Sequence, residues 1–314
     1  MALGRLELRR EVALGQSLSL HAGAHSAEQI LLAHRHEYAL YDIQMHHSSY
    51  QRMLALVEGE PHVLVLPPPE AEVLPRVRWG AFDEFFTPAF WAGRVWLYRT
   101  AVPEPLHRLG TTFAEEVAAC LLGGHGIPAE VGLAAFVRLR DAGLLGRRPT
   151  VDELEGALQE PLLVGQRAVR YRFARQKAGF LARCLATLDT ADWSGLDDRA
   201  LRGFLAGLPG IGPKTASWIT RNWRGSDAVA ILDIHICRAC VRAGVFVAGS
   251  DPARDYFGLE ARFLEFAEAL GTPPSVLDDV MWRVGRRIGH IAAMTRPNQT
   301  TSRPRTSMTS IPPG

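Results

Sequence analysis

The stretch Leu208-Pro209-Gly210-Ile211-Gly212-Pro213-Lys214-Thr215-Ala216 decides the fold of this chain of 314 residues. Before it, apolar residues recur at helical spacing, at Leu201, Phe204, Leu205 and Leu208. The glycines then allow a tight turn, and Pro213 suits the first position of a second helix. The pattern predicts two short helices joined by a hairpin. Free backbone N–H groups at Gly210, Gly212 and the start of the second helix favour an anion, such as a DNA phosphate.

Lys214 stands out because the chain uses arginine almost throughout. Only two of its 35 basic residues are lysines, Lys177 and Lys214. Arginine can replace lysine for charge, solubility or phosphate contact, but it cannot lose a proton and attack carbon. A lysine on a glycine hairpin therefore indicates nucleophilic chemistry, although two lysines must also fall somewhere in the chain.

Asp233 is the second candidate, and it follows the apolar run 228–232. It precedes a helical pattern over 234–242, where it stands at the N-cap position. A cap and a catalytic role can coexist, because a carboxylate beside an amine can act as a base and stabilise positive charge.

These two motifs resemble those of the helix-hairpin-helix DNA glycosylases, which include endonuclease III and the 8-oxoguanine DNA glycosylases. The resemblance rests on residues 208–216, on the Leu-Asp-Ile-His stretch 232–235, and more weakly on 113–122, which looks like the first core helix of the family. It covers 111–292. It implies a mainly α fold with a two-lobed helical core, and the strand-like patterns that precede it predict a smaller mixed α/β N-terminal domain.

The resemblance also implies roles for particular residues. The lysine at the position of Lys214 forms a Schiff base with the sugar, and the aspartate at the position of Asp233 is the other catalytic residue. Because purely hydrolytic members lack that lysine, its presence implies a bifunctional glycosylase and lyase. His235 matches a histidine that lies near a phosphate in lysine-bearing members, but it is equally explained as a polar residue at a helix start.

Two departures from the family pattern concern cysteines and the wedge loop. Endonuclease III-like members bind an iron–sulfur cluster through cysteines near the C-terminus, whereas this chain has no cysteine after Cys240. The pair Cys237 and Cys240 has metal-ligand spacing, but the helical pattern favours buried thiols. Many members fill the gap left by the flipped base with a Gln or Asn pair. Here that place reads Gly-Gly-His-Gly over 123–126, so His125 is either the wedge or part of a flexible loop.

Composition fits a soluble enzyme of two domains, with 47% hydrophobic and 22% charged residues. No apolar run is long enough to span a membrane, and residues 1–15 lack the centre of a signal peptide. Four cysteines suit a reducing compartment. We expect a cytoplasmic monomer, associated with the nucleoid in a bacterium. We expect no metal and no organic cofactor.

The DNA partner is indicated by local charge, since the net charge is only +2. Six basic side chains and no acidic one lie in 167–183, where Arg172 and Arg175 are candidate phosphate contacts. Six arginines and no acid lie in 280–314. A solvated helix face would explain both clusters as well.

We divide the chain into a mixed α/β accessory domain (1–110), a helical glycosylase core (111–294) and a disordered tail rich in Ser, Thr, Arg and Pro (295–314). Strand-like patterns occur at 5–12, 63–66 and 95–98, and one long helical pattern covers 168–188.

The predicted substrate is double-stranded DNA with a damaged base, which must be flipped out of the duplex. Trp218 or Trp282 can clamp the flipped base by stacking, although both are equally explained as core residues. The missing cluster and the mixed N-terminal domain favour 8-oxoguanine. The alternatives are an endonuclease III-like enzyme for oxidised pyrimidines and a non-catalytic helix-hairpin-helix DNA-binding module, which would not need Lys214 and Asp233 together.

Overall fold

The computed structural model describes residues 41–42, 50–57, 59–101, 108–124 and 126–294. In this part of the chain the predicted mainly helical fold, with a smaller mixed region at its N-terminal side, is confirmed. The helices are α1 (Pro88–Ala101), α2 (Phe113–Leu122), α3 (Ala129–Asp141), α4 (Val151–Gln159), α5 (Ala174–Leu188), α6 (Asp198–Ala206), α7 (Pro213–Arg224), α8 (Ile234–Arg242), α9 (Tyr256–Ala269) and α10 (Pro274–Met294). The strands are β1 (Tyr41–Asp42), β2 (Gln51–Val57), β3 (Glu60–Leu66), β4 (Glu72–Leu74), β5 (Val77–Arg78), β6 (Leu162–Val164) and β7 (Arg167–Val169).

The N-terminal sheet has the strand order β1-β2-β3, with both pairs antiparallel. Met53 and Ala55 point into the protein and Arg52 points out, the alternation of a half-buried strand. The strand predicted over 63–66 lies within β3. The strand predicted over 95–98 is wrong, because those residues belong to α1. There Trp91, Ala92 and Val95 are buried at helical spacing. The aromatic residues of this segment also suit a strand, so the sequence pattern did not indicate the helix.

Two hydrophobic clusters divide the helices into two lobes. The first cluster joins residues of α2 to α7, from Phe113 to Ile219. The second joins β2, β3 and α1 with α8, α9 and α10, so the N-terminal region shares a core with the C-terminal helices. Helix α7 and the segment 225–233 connect the lobes. The division at residue 110 stays a prediction, as does the tail, which lies outside the described residues together with the strand predicted over 5–12.

The helix predicted over 168–188 begins later than expected. Residues 162–169 form the antiparallel hairpin β6–β7, with Leu162 opposite Val169 and Val164 opposite Arg167. The two residues between the strands include Gly165, whose φ of 59° suits a tight hairpin turn. Helix α5 therefore starts at Ala174. Among the described helices, none is at once long and apolar enough to cross a lipid bilayer.

Candidate active site

The hairpin between α6 and α7 has the form predicted from the sequence. Gly210 has a φ of +77°, and a Cβ at that position would collide with the ring of Phe180. Gly212 is the N-cap residue of α7 and, lacking a side chain, leaves the first N–H groups of the helix uncapped. Both glycines are exposed. The anion-binding geometry expected from them is therefore open to solvent, and their contact with DNA stays a prediction.

Two side chains of helix α5 contact the hairpin on its buried side. The Sγ of Cys184 donates to the carbonyl of Pro209 over 3.4 Å, and Phe180 fills the space beside Gly210. Leu208 and Ile211 are buried in the first cluster. The apolar residues of the hairpin thus point inward, and its glycines face solvent.

Lys214 is the second residue of α7, and it is half-buried. Its amine has no hydrogen-bond or ion-pair partner among the residues that the structure describes. Burial raises the pKa of the Cys120 thiol in α2, and the positive charges of Arg221 and Lys214 oppose that rise. Lys214, at the start of α7, is therefore close enough to the C-terminal half of α2 for its positive charge to act on Cys120.

The other lysine is committed to a structural contact. Lys177 Nζ donates to the carbonyl of Leu121 over 2.7 Å, and the Tyr171 hydroxyl donates to the next carbonyl, Leu122, over 2.6 Å. Burial lowers the pKa of Lys177. These side chains satisfy carbonyls at the C-terminal end of α2, which a helix leaves without internal partners. The sequence did not predict this, because the partners lie 56 and 49 residues apart.

Helix α7 points several polar side chains into the protein, and buried carboxylates of other helices meet three of them. Four of its polar side chains are buried, and three of them pair with carboxylates from three other helices. The pairs are Ser217 Oγ with Glu260 Oε1 (3.3 Å), Arg221 Nη2 with Asp278 Oδ1 (3.3 Å) and Asn222 Nδ2 with Glu116 Oε1 (2.8 Å). Burial raises the pKa of Asp278, and the Arg221 guanidinium opposes that rise. The helix that carries Lys214 is thereby fixed to α2, α9 and α10.

Sequence reasoning missed these three carboxylates. One signal was present: each acidic residue lies on the apolar stripe of its helix, as Glu116 does beside Phe113, Val117 and Cys120. A carboxylate at such a position must be buried and therefore requires partners. The identity of the partners depends on tertiary contacts that the pattern does not contain.

Asp233 caps α8 in the predicted way. Its Oδ1 accepts hydrogen bonds from the N–H groups of His235 (2.7 Å) and Ile236 (3.0 Å). Its Oδ2 makes no hydrogen bond within the described ranges, and the residue is half-buried. One oxygen is thus used by the helix and the other is free for a ligand, so capping does not exclude a catalytic role.

His235 is the second residue of α8 and packs against α10. A Cβ at Gly285 would lie 2.8 Å from the His235 Cβ and 3.0 Å from its Nδ1, so the imidazole packs directly on that glycine. The side chain is only partly covered. Its contact with a DNA phosphate stays a prediction.

The two candidate tryptophans lie in different lobes. The ring of Trp218 faces Gly123, where a Cβ would be 3.4 Å from its Cη2, and it packs on the first cluster. Trp282 packs on the second cluster, with the Arg286 guanidinium 4.8 Å from its ring centre. Trp218 alone therefore adjoins the glycine loop that follows α2.

The basic segment that precedes α5 borders the same glycine loop. Arg172 is exposed with its guanidinium 5.1 Å from the ring of Phe173, and that ring faces Gly126. Arg175, the second residue of α5, is also exposed. His125 lies outside the described residues, so its role as a wedge stays a prediction.

Cys237 and Cys240 are both buried thiols in α8. Burial raises the pKa of Cys237 to about 12, which disfavours the thiolate that a metal would require. The described residues contain no group of three or more His, Cys, Asp or Glu side chains arranged to bind a metal ion.

Comparison with known proteins gives a family for this arrangement. The family model of the 8-oxoguanine DNA glycosylase domain matches residues 108–272, which is more than half of the chain. The 8-oxoguanine DNA glycosylase of Thermotoga maritima is 26% identical, covering 63% of this chain and 96% of that one, with a TM-score of 0.49. The Methanocaldococcus jannaschii 8-oxoguanine glycosylase/lyase, in complex with a 15mer DNA containing 8-oxoguanine, is 24% identical, covering 64% and 90%, with a TM-score of 0.44.

Proposed function

We propose that this chain, which belongs to the 8-oxoguanine DNA glycosylase family, excises 8-oxoguanine from duplex DNA and then cleaves the abasic strand through a Schiff base on Lys214. The observation that carries the proposal is the contrast between the two lysines. The Lys177 amine donates a hydrogen bond to the Leu121 carbonyl. Lys214 instead lies at the start of α7 beside exposed glycines, and its amine has no hydrogen-bond or ion-pair partner within the described part of the chain.

The chemistry follows from what the two residues can supply. The neutral Lys214 amine attacks C1′ of the flipped nucleotide as the glycosidic bond breaks, and the base leaves with the bonding electron pair and takes up a proton that the newly bonded amine releases. Asp233, with Oδ2 free of the helix cap, stabilises positive charge that develops on the sugar. Opening of the sugar ring, in which O4′ takes up the second proton of the amine, gives the Schiff base. A proton is then lost from C2′ to solvent, and the C3′–O bond breaks so that the downstream strand leaves with its 5′ phosphate.

The DNA backbone is held by the hairpin and by nearby basic groups. The uncapped N–H groups at the start of α7 bind a phosphate, and His235 binds another. Arg172 and Arg175 contact the backbone beside the glycine loop, while His125 enters the space that the flipped base leaves. Trp218, which faces that loop, stacks on the flipped base; Trp282 is the second candidate.

Borohydride trapping tests the nucleophile directly. We expect wild-type protein to form a covalent adduct with an 8-oxoguanine duplex, and to form less with a duplex that contains an oxidised pyrimidine. Lys214→Gln and Lys214→Arg should both abolish the adduct, because neither side chain has a nucleophilic amine. Lys214→Arg keeps the charge and should keep duplex affinity.

Lys177→Gln is the matched control for loss of a lysine, and it should still form the adduct. Wild-type yield of adduct from Lys214→Gln would reject the proposed nucleophile. Preference for the oxidised pyrimidine would favour an endonuclease III-like substrate range. Duplex binding with neither base release nor adduct would leave a DNA-binding module.

A further inference from the structure

Glu260 binds three elements of the candidate site with one carboxylate. It lies in α9 and is only 4% exposed. Its Oε2 accepts from Arg202 Nη1 of α6 over 2.7 Å. Its Oε1 accepts from Ser217 Oγ of α7 over 3.3 Å and from the N–H of Ala230 over 3.0 Å. The carboxylate thus joins both helices of the hairpin to the segment that leads to Asp233.

Tyr256 lies one turn before Glu260 on the same face of α9 and holds the same segment. Its hydroxyl donates to the carbonyl of Ala230 over 2.7 Å and accepts from the N–H of Leu232 over 3.3 Å. Both backbone groups of Ala230 are therefore bound by side chains of α9. Since Asp233 directly follows Leu232, these contacts fix where its carboxylate stands.

Buried charges of this kind are a poor way to gain stability, because the loss of hydration offsets most of the attraction between them. Their geometry is informative, however. Ser217 is three residues after Lys214, and Ala230 is three residues before Asp233, so the carboxylate spans the two chain segments that carry the proposed reactive groups. A displacement of about 1 Å between such groups lowers rates by ~10²-fold.

We propose that Glu260, assisted by Tyr256, is a positioning residue that fixes Asp233 relative to Lys214. The inference rests on the proposed function of those two residues. Base release needs both groups in register with the flipped nucleotide. Cleavage of a preformed abasic site needs the Lys214 amine but no departing base, so it depends less on this register.

Glu260→Gln is the sharpest change because it preserves the shape of the side chain. The amide has one accepting oxygen and one donating nitrogen. Whichever way it turns, its NH₂ group faces either Arg202 or the N–H of Ala230, and a donor meets a donor. The exposed Glu268 of the same helix gives the matched control, Glu268→Gln.

The test is single-turnover base release from an 8-oxoguanine duplex, with the amplitude and the rate constant measured separately. For Glu260→Gln we expect the rate constant to fall by about 10- to 100-fold while the amplitude stays full. Cleavage of a preformed abasic duplex should change by less than about threefold, and Glu268→Gln should match wild type. A merely structural role would lower the amplitude, which counts competent protein, and leave the rate constant unchanged; that result would overturn the proposal.

Two further outcomes keep the inference separate from the proposed function. Equal losses in base release and abasic-site cleavage would show that Glu260 acts on Lys214 alone, against the proposal. If Glu260→Gln does not fold, Tyr256→Phe replaces it, since it removes only the hydroxyl that binds Ala230 and Leu232; a wild-type rate constant would then overturn the inference. Failure of the proposed function itself appears elsewhere, as an adduct formed by Lys214→Gln.

Discussion

Asp233 accepts the hydrogen bonds of the α8 N-cap with Oδ1, and its Oδ2 makes no hydrogen bond within the described residues. The two oxygens therefore allow two roles at once, helix capping by Oδ1 and stabilisation of positive charge on the sugar by Oδ2, which the sequence alone cannot distinguish. An amide at this position would keep the accepting oxygen of the cap but lose the negative charge. The effect of the charge on the sugar can therefore be measured without loss of the helix start.

We predict that Asp233→Asn lowers the single-turnover rate of base release by ~10²-fold or more, the usual size for a group that stabilises charge in the transition state. Its melting temperature should change little. The matched control is Asp197→Asn at the N-cap of α6, where Asp197 Oδ1 accepts from the N–H of Ala200 over 2.8 Å. A large loss of stability with normal turnover for Asp233→Asn would show that the residue only caps the helix.

Of the two candidate tryptophans, Trp218 is the one that adjoins the glycine loop, at Gly123. If it stacks on the flipped base, Trp218→Ala should weaken binding to a lesion duplex by about 1–3 kcal/mol and leave binding to plain duplex nearly unchanged. Trp282→Ala is tested in the same way, as the candidate from the other lobe. Equal losses on lesion and plain DNA, or unfolding, would assign both tryptophans to the core.

Sequence reasoning reached residues whose role is local and missed those whose role depends on distant partners. The N-cap of Asp233 and the left-handed turn at Gly210 follow from neighbouring residues. The contact of Lys177 with Leu121 does not, because only the packing of α5 against α2 creates it. The same holds for Glu260, which binds residues from three separate segments.

At the scale of elements, α7 behaves as a helix fixed by buried polar contacts rather than by an apolar face alone. Ser217, Arg221 and Asn222 each meet a buried carboxylate. Removal of one partner leaves an unpaired charge inside the protein, which costs more than the pair contributes.

Arg221→Met should therefore lower the free energy of unfolding by about 3–5 kcal/mol, because Asp278 loses its counterion. Addition of Asp278→Asn should restore much of the loss, since the amide oxygen can still accept from the N–H of Ile231. Urea unfolding of both single variants and the double variant measures this coupling. Additive losses in the double variant would show that the ion pair does not couple α7 to α10.

The boundaries of elements show the same division between local and distant causes. Helices α7 and α8 begin where Pro213 and the N-cap Asp233 predicted. The predicted start of α5, at residue 168, was wrong. Residues 167–169 fit a helical pattern, but in the structure they form β7 and pair with β6. Helix α1 was missed because its aromatic and β-branched residues also suit strands.

At the scale of the whole molecule, the net charge of +2 gives little general attraction to DNA, so affinity must come from particular clusters. Arg172 and Arg175 are exposed, and the ring of Phe173 between them in the sequence faces Gly126 of the glycine loop. Arg172→Ala or Arg175→Ala should weaken binding to lesion and plain duplex alike, and each should reduce the slope of log affinity against log salt by about 1. An unchanged slope in both variants would remove these arginines from the interface.

The two lobes meet at α7 and the segment that leads to α8, where the proposed nucleophile and its carboxylate partner are found. The central claim is that one amine, Lys214, bonds to the sugar. Borohydride reduction during turnover of an 8-oxoguanine duplex, followed by peptide mass mapping, identifies that amine directly. We expect the sugar adduct on the peptide that contains Lys214, with no trypsin cleavage after that residue. An adduct on Lys177 or on the terminal amine would contradict the account.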